Sequence, residues 1–292
     1  MAKTFALVYL ICLTAIPAIS QTPSDDHAPL FRRYREGETL TYHMKGTNED
    51  WHYEIQADGI VKKATTGHYF EEFRWSHLVS DGREISLSPD SADFRQELSL
   101  DRALTAPNLA RVDPRLVGPI TDLLTFYVDL WVATKTGRLV RDGDHLYFKG
   151  DRTGSWADGN YILTGEDSVD FDMTLEDISH SSNTATLLVR HVPPEEPKVR
   201  LVANWMRKPV SDTPNNWVQV RKMASGKFLA AVGKETFDVQ MKVSLTDGKI
   251  LSGTLDNPLE TIERECEDAG LTKCGDPHPQ NIHRQIEISL ER

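Results

Sequence analysis

The stretch Leu116-Val117-Gly118-Pro119-Ile120-Thr121-Asp122-Leu123-Leu124-Thr125-Phe126-Tyr127-Val128-Asp129-Leu130-Trp131-Val132-Ala133-Thr134-Lys135-Thr136 decides the fold, because it is the only long apolar helix candidate beyond residue 20. Pro119 suits a first-turn position, where its missing N–H costs nothing, and Gly137 is a good terminator. On a helical wheel Asp122, Thr125, Asp129, Ala133 and Thr136 form a narrow polar stripe, opposite Leu123, Leu124, Tyr127, Val128, Leu130 and Trp131. A membrane span would bury both aspartates, at roughly 2.5–3.5 kcal/mol each near the bilayer centre. The expectation is therefore a helix over residues 119–136 packed into a concave sheet, with its aspartates at the open edge.

Around this stretch the chain alternates apolar and polar residues with a period of two, the mark of half-buried strands. Leu40-Thr41-Tyr42-His43-Met44, Trp51-His52-Tyr53-Glu54-Ile55 and Phe73-Arg74-Trp75-Ser76-His77 precede the helix. Val169 to Leu175, Phe237 to Leu245 and Ile286 to Leu290 follow it. Asp58-Gly59, Asp81-Gly82 and Asp247-Gly248 read as hairpin turns, since both residue types tolerate positive φ. Strands with one apolar face and tight turns imply an antiparallel sheet covered on one side. The predicted fold is mainly β: a curved antiparallel sheet or half-barrel with one long α-helix packed on its concave face.

The ends and the composition place that domain outside the cytoplasm. Lys3, an apolar run from Thr4 to Ala18, and small residues before Gln21 describe a secretory signal peptide over residues 1–20. Residues 21–33 read as a flexible lead-in and residues 34–292 as a single β-rich domain, exported to the periplasm or beyond. The net charge of −11 argues against nucleic acid or an anionic membrane surface as a partner. No transmembrane span is expected after signal cleavage. Cys266 and Cys274 read as a disulfide in an exported protein, worth roughly 2.5 kcal/mol for so small a loop.

Catalytic signatures are missing. There is no Gly-x-Ser-x-Gly elbow and no His-Glu-x-x-His motif, and the Cys/His spacing supports no zinc site. Asp170 and Asp172 share a strand face that alternates with Val169, Phe171 and Met173, so they read as a solvated surface. Neither a catalytic residue, a metal nor a cofactor is assigned. The aromatics carry more information. Tyr42, Trp51, Tyr53, Phe73 and Trp75 fall on apolar strand faces, and Tyr127 and Trp131 on the apolar side of the helix. They line either a packed core or a cavity for a hydrophobic or lipid-like ligand.

Tyr34-Arg35-Glu36-Gly37-Glu38-Thr39-Leu40-Thr41-Tyr42 looks like the Gly-Glu-x-Leu-x-Tyr opening of a family of uncharacterised exported bacterial proteins. Residues 118–127 and Ala203-Asn204-Trp205-Met206 resemble uncharacterised secreted proteins of acidobacterial type, a match that implies export and supplies no chemistry. The layout is also similar to the lipoprotein-carrier superfamily (LolA- and LolB-like), in which a curved sheet wraps helices and holds acyl chains. That likeness carries over no binding residue. The expected function is non-catalytic binding of a hydrophobic or lipid-like ligand in the periplasm or envelope. The alternative is a structural or protein-interaction module with a solid core and no ligand.

Overall fold

A computed structural model describes residues 29–48, 51–104, 107–109, 111–149, 156–157, 161–163, 170–193, 203–207, 215–223 and 225–291. The expected signal peptide lies outside the described residues. In chain order the strands are β1 (Thr39–Asn48), β2 (Trp51–Lys63), β3 (Tyr69–Ser80), β4 (Arg83–Glu84) and β5 (Gln96–Leu98). The short helix α1 (Pro89–Ala92) lies between β4 and β5, and α2 (Pro114–Lys135) follows β5. Then come β6 (His145–Lys149), β7 (Trp156–Ala157), β8 (Tyr161–Leu163), β9 (Asp170–Ser179) and β10 (Thr184–Val192). β11 (Trp217–Lys222), β12 (Phe228–Glu235), β13 (Phe237–Ser244), β14 (Ile250–Cys266) and β15 (His278–Leu290) complete the chain. All of them join one antiparallel sheet that does not close, as the sequence grammar predicts.

The sheet forks. Its trunk runs β4-β3-β2-β1-β15-β14, and β14 then serves two different neighbours. The first part of β14 pairs with β13 as far as Asp256↔Asp238, and the second part with β12 from Leu259↔Glu235. Pro258 sits at the break, where it has no N–H to give to a ladder. Asn257 fills the gap by donating from Nδ2 to the Thr236 carbonyl at 2.8 Å. One residue, Thr236, carries the chain from β12 into β13, so the two branches diverge at this point.

Two cores follow from the fork. The larger gathers α2 with β1, β2, β3, β9, β10, β13, β14 and β15, around side chains such as Tyr42, Phe73, Phe126 and Leu187. The smaller joins Ala203, Met206, Val218, Ala230, Val232, Cys266 and Leu271. Leu255 of β14 belongs to the first and Cys266 to the second, and their opposite parity puts the cores on opposite faces of one strand. The expected disulfide Cys266–Cys274 forms, with Cys266 in the smaller core and Cys274 packed against it.

Several local expectations need correction. Asp58-Gly59 is not a turn; β2 runs through it. The Phe73 ring lies against Gly59, where an added Cβ would stand 2.5 Å from Cε1. Asp58 meanwhile accepts hydrogen bonds from Thr41, Gln56 and Ser76. Asp81-Gly82 and Asp247-Gly248 do lie at turns, with positive φ at Asp81, Gly82 and Gly248. The end of the expected lead-in is anchored: Leu30 and Arg32 are buried, and Arg32 pairs with Glu71 and Glu38.

The helix starts earlier than expected and is rotated about its axis: Leu123, Tyr127 and Leu130 are buried as expected, while the aspartates turn in and Leu124, Val128 and Trp131 turn out. Asp113 caps it by accepting from the Arg115 N–H, Pro114 takes the first-turn position, and Pro119 lies inside. Asp122 and Asp129 are 3% and 0% exposed. Leu124, Val128 and Trp131 are only partly buried and form the outer stripe with Val117, Thr121 and Thr125. Wheel reasoning put the charges outside because an unpaired buried carboxylate is costly. Partners from distant strands remove that cost here.

Candidate functional site

The outer stripe of α2 borders a cleft of about 650 Å³, whose far wall is the sheet on both sides of the fork. Val117, Leu124 and Val128 face Leu259, Ile282 and Ile286 across it, with Trp51 at one end. Thr121 and Thr125 also line the stripe, but their hydroxyls donate to the carbonyls of Val117, Gly118 and Thr121. Their polar groups are thereby spent within the helix, and the wall presents an apolar surface.

The deep side of the cleft is charged. Arg284, Asn257 and Asp122 form one cluster: the guanidinium pairs with Asp122 and donates to Asn257 Oδ1 at 3.2 Å. Tyr53 donates its hydroxyl to the other Asp122 oxygen at 2.8 Å. The Tyr53 ring reaches that position because residue 46, opposite it on β1, is glycine; a Cβ there would stand 2.1 Å from the ring. Burial pushes the Asp122 carboxyl above its ordinary range, against the pull of Arg284. Burial also raises Glu235, at the fork, to about 7, with Arg284 and Asn257 opposing.

A second pair supports the same wall. His191 Nε2 lies 2.7 Å from Asp129 Oδ1, and the imidazole sits between Phe171 and Phe237, each with ring centroids 4.9 Å away. Asp129 Oδ2 is buried and has no hydrogen-bond partner among the described residues. Burial raises the Asp129 carboxyl, opposed by His191. A third cluster lies away from the cleft: Arg32 pairs with Glu71, and Glu71 accepts from the Tyr127 hydroxyl. It ties the N-terminal segment and β3 to the helix.

The seven aromatics expected to line a cavity divide. Trp51 and Tyr53 border the cleft. Tyr42, Phe73, Trp75 and Tyr127 are buried in the larger core, where Phe73 meets Tyr42 and Tyr127 at centroid distances of 5.9 and 6.0 Å. Trp131 is on the outer stripe beneath the Lys135 ammonium. Asp170 and Asp172 sit half-buried on β9, Asp172 beside His145, as befits a solvated face. Among the described residues no three His, Cys, Asp or Glu side chains converge as a metal site.

His191, Glu235, Arg284 and the inward role of Asp122 escaped the sequence reading. Two of them carried a readable signal. Arg284 continues the series Ile282, Ile286, Ile288, and His191 continues Ala185, Leu187, Val189, so each falls in phase with an apolar strand face. Comparison with protein-family models, curated proteins and solved structures finds no match, so the site is read from its geometry alone.

Proposed function

We propose that this is an exported, non-catalytic binding protein for a hydrophobic or lipid-like ligand, held in the cleft between α2 and the sheet fork. One observation carries the reading: a helix stripe of Val117, Leu124 and Val128 packs against the edge of the larger core but stays half-buried and lines an open cleft. Its volume lies within the range of roughly 300–1,000 Å³ typical of small-molecule sites, and such sites combine apolar walls with a few placed polar groups. The helix is 22 residues long and apolar enough to cross a bilayer, yet 61% of its most apolar window is buried inside the protein. Its two aspartates are matched by Arg284 and His191 of the sheet, which supports a core helix over a membrane span.

The test is native mass spectrometry of the protein purified from its own envelope, with tryptophan fluorescence as the second readout. A co-purifying lipid mass, and a change in Trp51 emission on adding fatty acid or phospholipid, are expected. A clean apo mass with unchanged emission would refute the reading. It would favour the solid-core module, which the close packing of Tyr42, Phe73 and Tyr127 also supports.

A further inference from the structure

The charges of the cleft are not all engaged. Arg284 is held by Asp122 and Asn257, Arg115 by Asp113, and His191 by Asp129. Arg221 and Glu263 line the same cleft, and neither side chain makes an ion pair or hydrogen bond among the described residues. Both project from one face of the sheet: Gln219 pairs with Ala231 and Ala231 with Glu263, while Arg221 lies two residues beyond Gln219 on β11. Two strand spacings and a two-residue offset put their backbones about 12 Å apart. The two side chains do not pair with each other among the described residues, so one positive and one negative charge stand unmatched along the same wall of the cleft.

Size limits the rest of the ligand. A methylene occupies roughly the volume of one liquid water, about 30 Å³. A cleft of about 650 Å³ therefore holds on the order of twenty heavy atoms, one medium-length chain and a compact head but not two chains. We infer that the ligand is a single-chain zwitterionic amphiphile, its chain along the Val117–Leu124–Val128 stripe, its anionic group on Arg221 and its cationic group on Glu263. This rests on the binding reading above and names the ligand class for the same site.

Isothermal titration calorimetry of the purified protein tests it, using octanoyl lysophosphatidylethanolamine below its critical micelle concentration. The uncharged comparison is monooctanoylglycerol, and the chainless one is glycerophosphoethanolamine. The zwitterionic lipid should bind about ten-fold more tightly than the monoglyceride, a charge-assisted preference, and the chainless head should not bind measurably. Arg221→Ala and Glu263→Gln should each remove most of that preference. Equal affinity for the two lipids, or variants that keep the preference, would overturn the head-group assignment while leaving the binding reading in place. Chainless head binding as tightly as the lipid would overturn the chain assignment. If neither lipid binds, both this inference and the function it rests on fall.

Discussion

Replacing Arg284 by methionine leaves Asp122 buried beside Tyr53 with no positive partner, and the cost can be bounded. Removing one member of a buried pair typically costs about 3–5 kcal/mol. The Arg284 side chain is 22% exposed against 4% for Asp122, so the lower end applies. There is also a ceiling. The carboxyl can escape by taking a proton, and from its ordinary value of 3.8 that costs about 4.4 kcal/mol at pH 7. Arg284→Met should therefore lower stability by about 3–4 kcal/mol in urea denaturation at pH 7. The proton escape gives the variant a signature. With the folded carboxyl protonated and the unfolded one ionised, the deficit relative to wild type shrinks as pH falls, by about 1.4 kcal/mol per unit. Between pH 7 and pH 5 it should recover about 2.7 kcal/mol. Asp122→Asn in the same background keeps an acceptor for Tyr53 and abolishes the charge, so the double variant should be more stable at pH 7 than Arg284→Met alone. A loss below about 1 kcal/mol, or a deficit equal at pH 5 and pH 7, would refute a buried Asp122–Arg284 pair.

Glu235 gives a second pH dependence. Its folded value is raised from 4.5 to about 7, so its stabilising contribution is complete below pH 4.5 and is lost as pH rises through 7. Wild type should therefore lose stability relative to Glu235→Gln between pH 5 and pH 8, and parallel urea curves would contradict the assignment. Gly46→Ala should destabilise by about 3 kcal/mol, because its Cβ would stand 2.1 Å from the Tyr53 ring that reaches Asp122. A urea midpoint equal to that of the wild type would show that the ring can move aside. Cys266→Ala with Cys274→Ala should cost about 2.5 kcal/mol, read as a melting temperature lower by about 5–10 °C. An unchanged melting temperature under oxidising conditions would argue that the smaller core does not depend on the bridge.

The strand grammar was legible because a one-sided strand must alternate, and Phe237-Asp238-Val239-Gln240-Met241-Lys242-Val243 does so without exception. Asp58-Gly59 was misread because the same dipeptide serves a turn or, when an aromatic from the next strand covers the glycine, the interior of a strand. Of the proposed site, Trp51 and Tyr53 could be picked from strand phase, while Tyr42, Phe73 and Trp75 share that phase and are packed solid, as is Tyr127 on the helix. Phase tells which face a side chain occupies. It does not tell whether that face meets a neighbour or a void.

By itself the sequence determined an antiparallel β-rich chain with one long apolar helix and a Cys266–Cys274 bridge, since periodicity and the spacing of two cysteines are local properties. Only the tertiary structure decided which side of the helix faces inward. Asp122 and Asp129 are buried because Arg284 and His191 meet them from strands 162 and 62 residues away in sequence. The energy of a charge depends on the partner that folding brings to it. That pairing turns the aspartates in, leaves Leu124 and Val128 looking out, and opens the cleft at the fork.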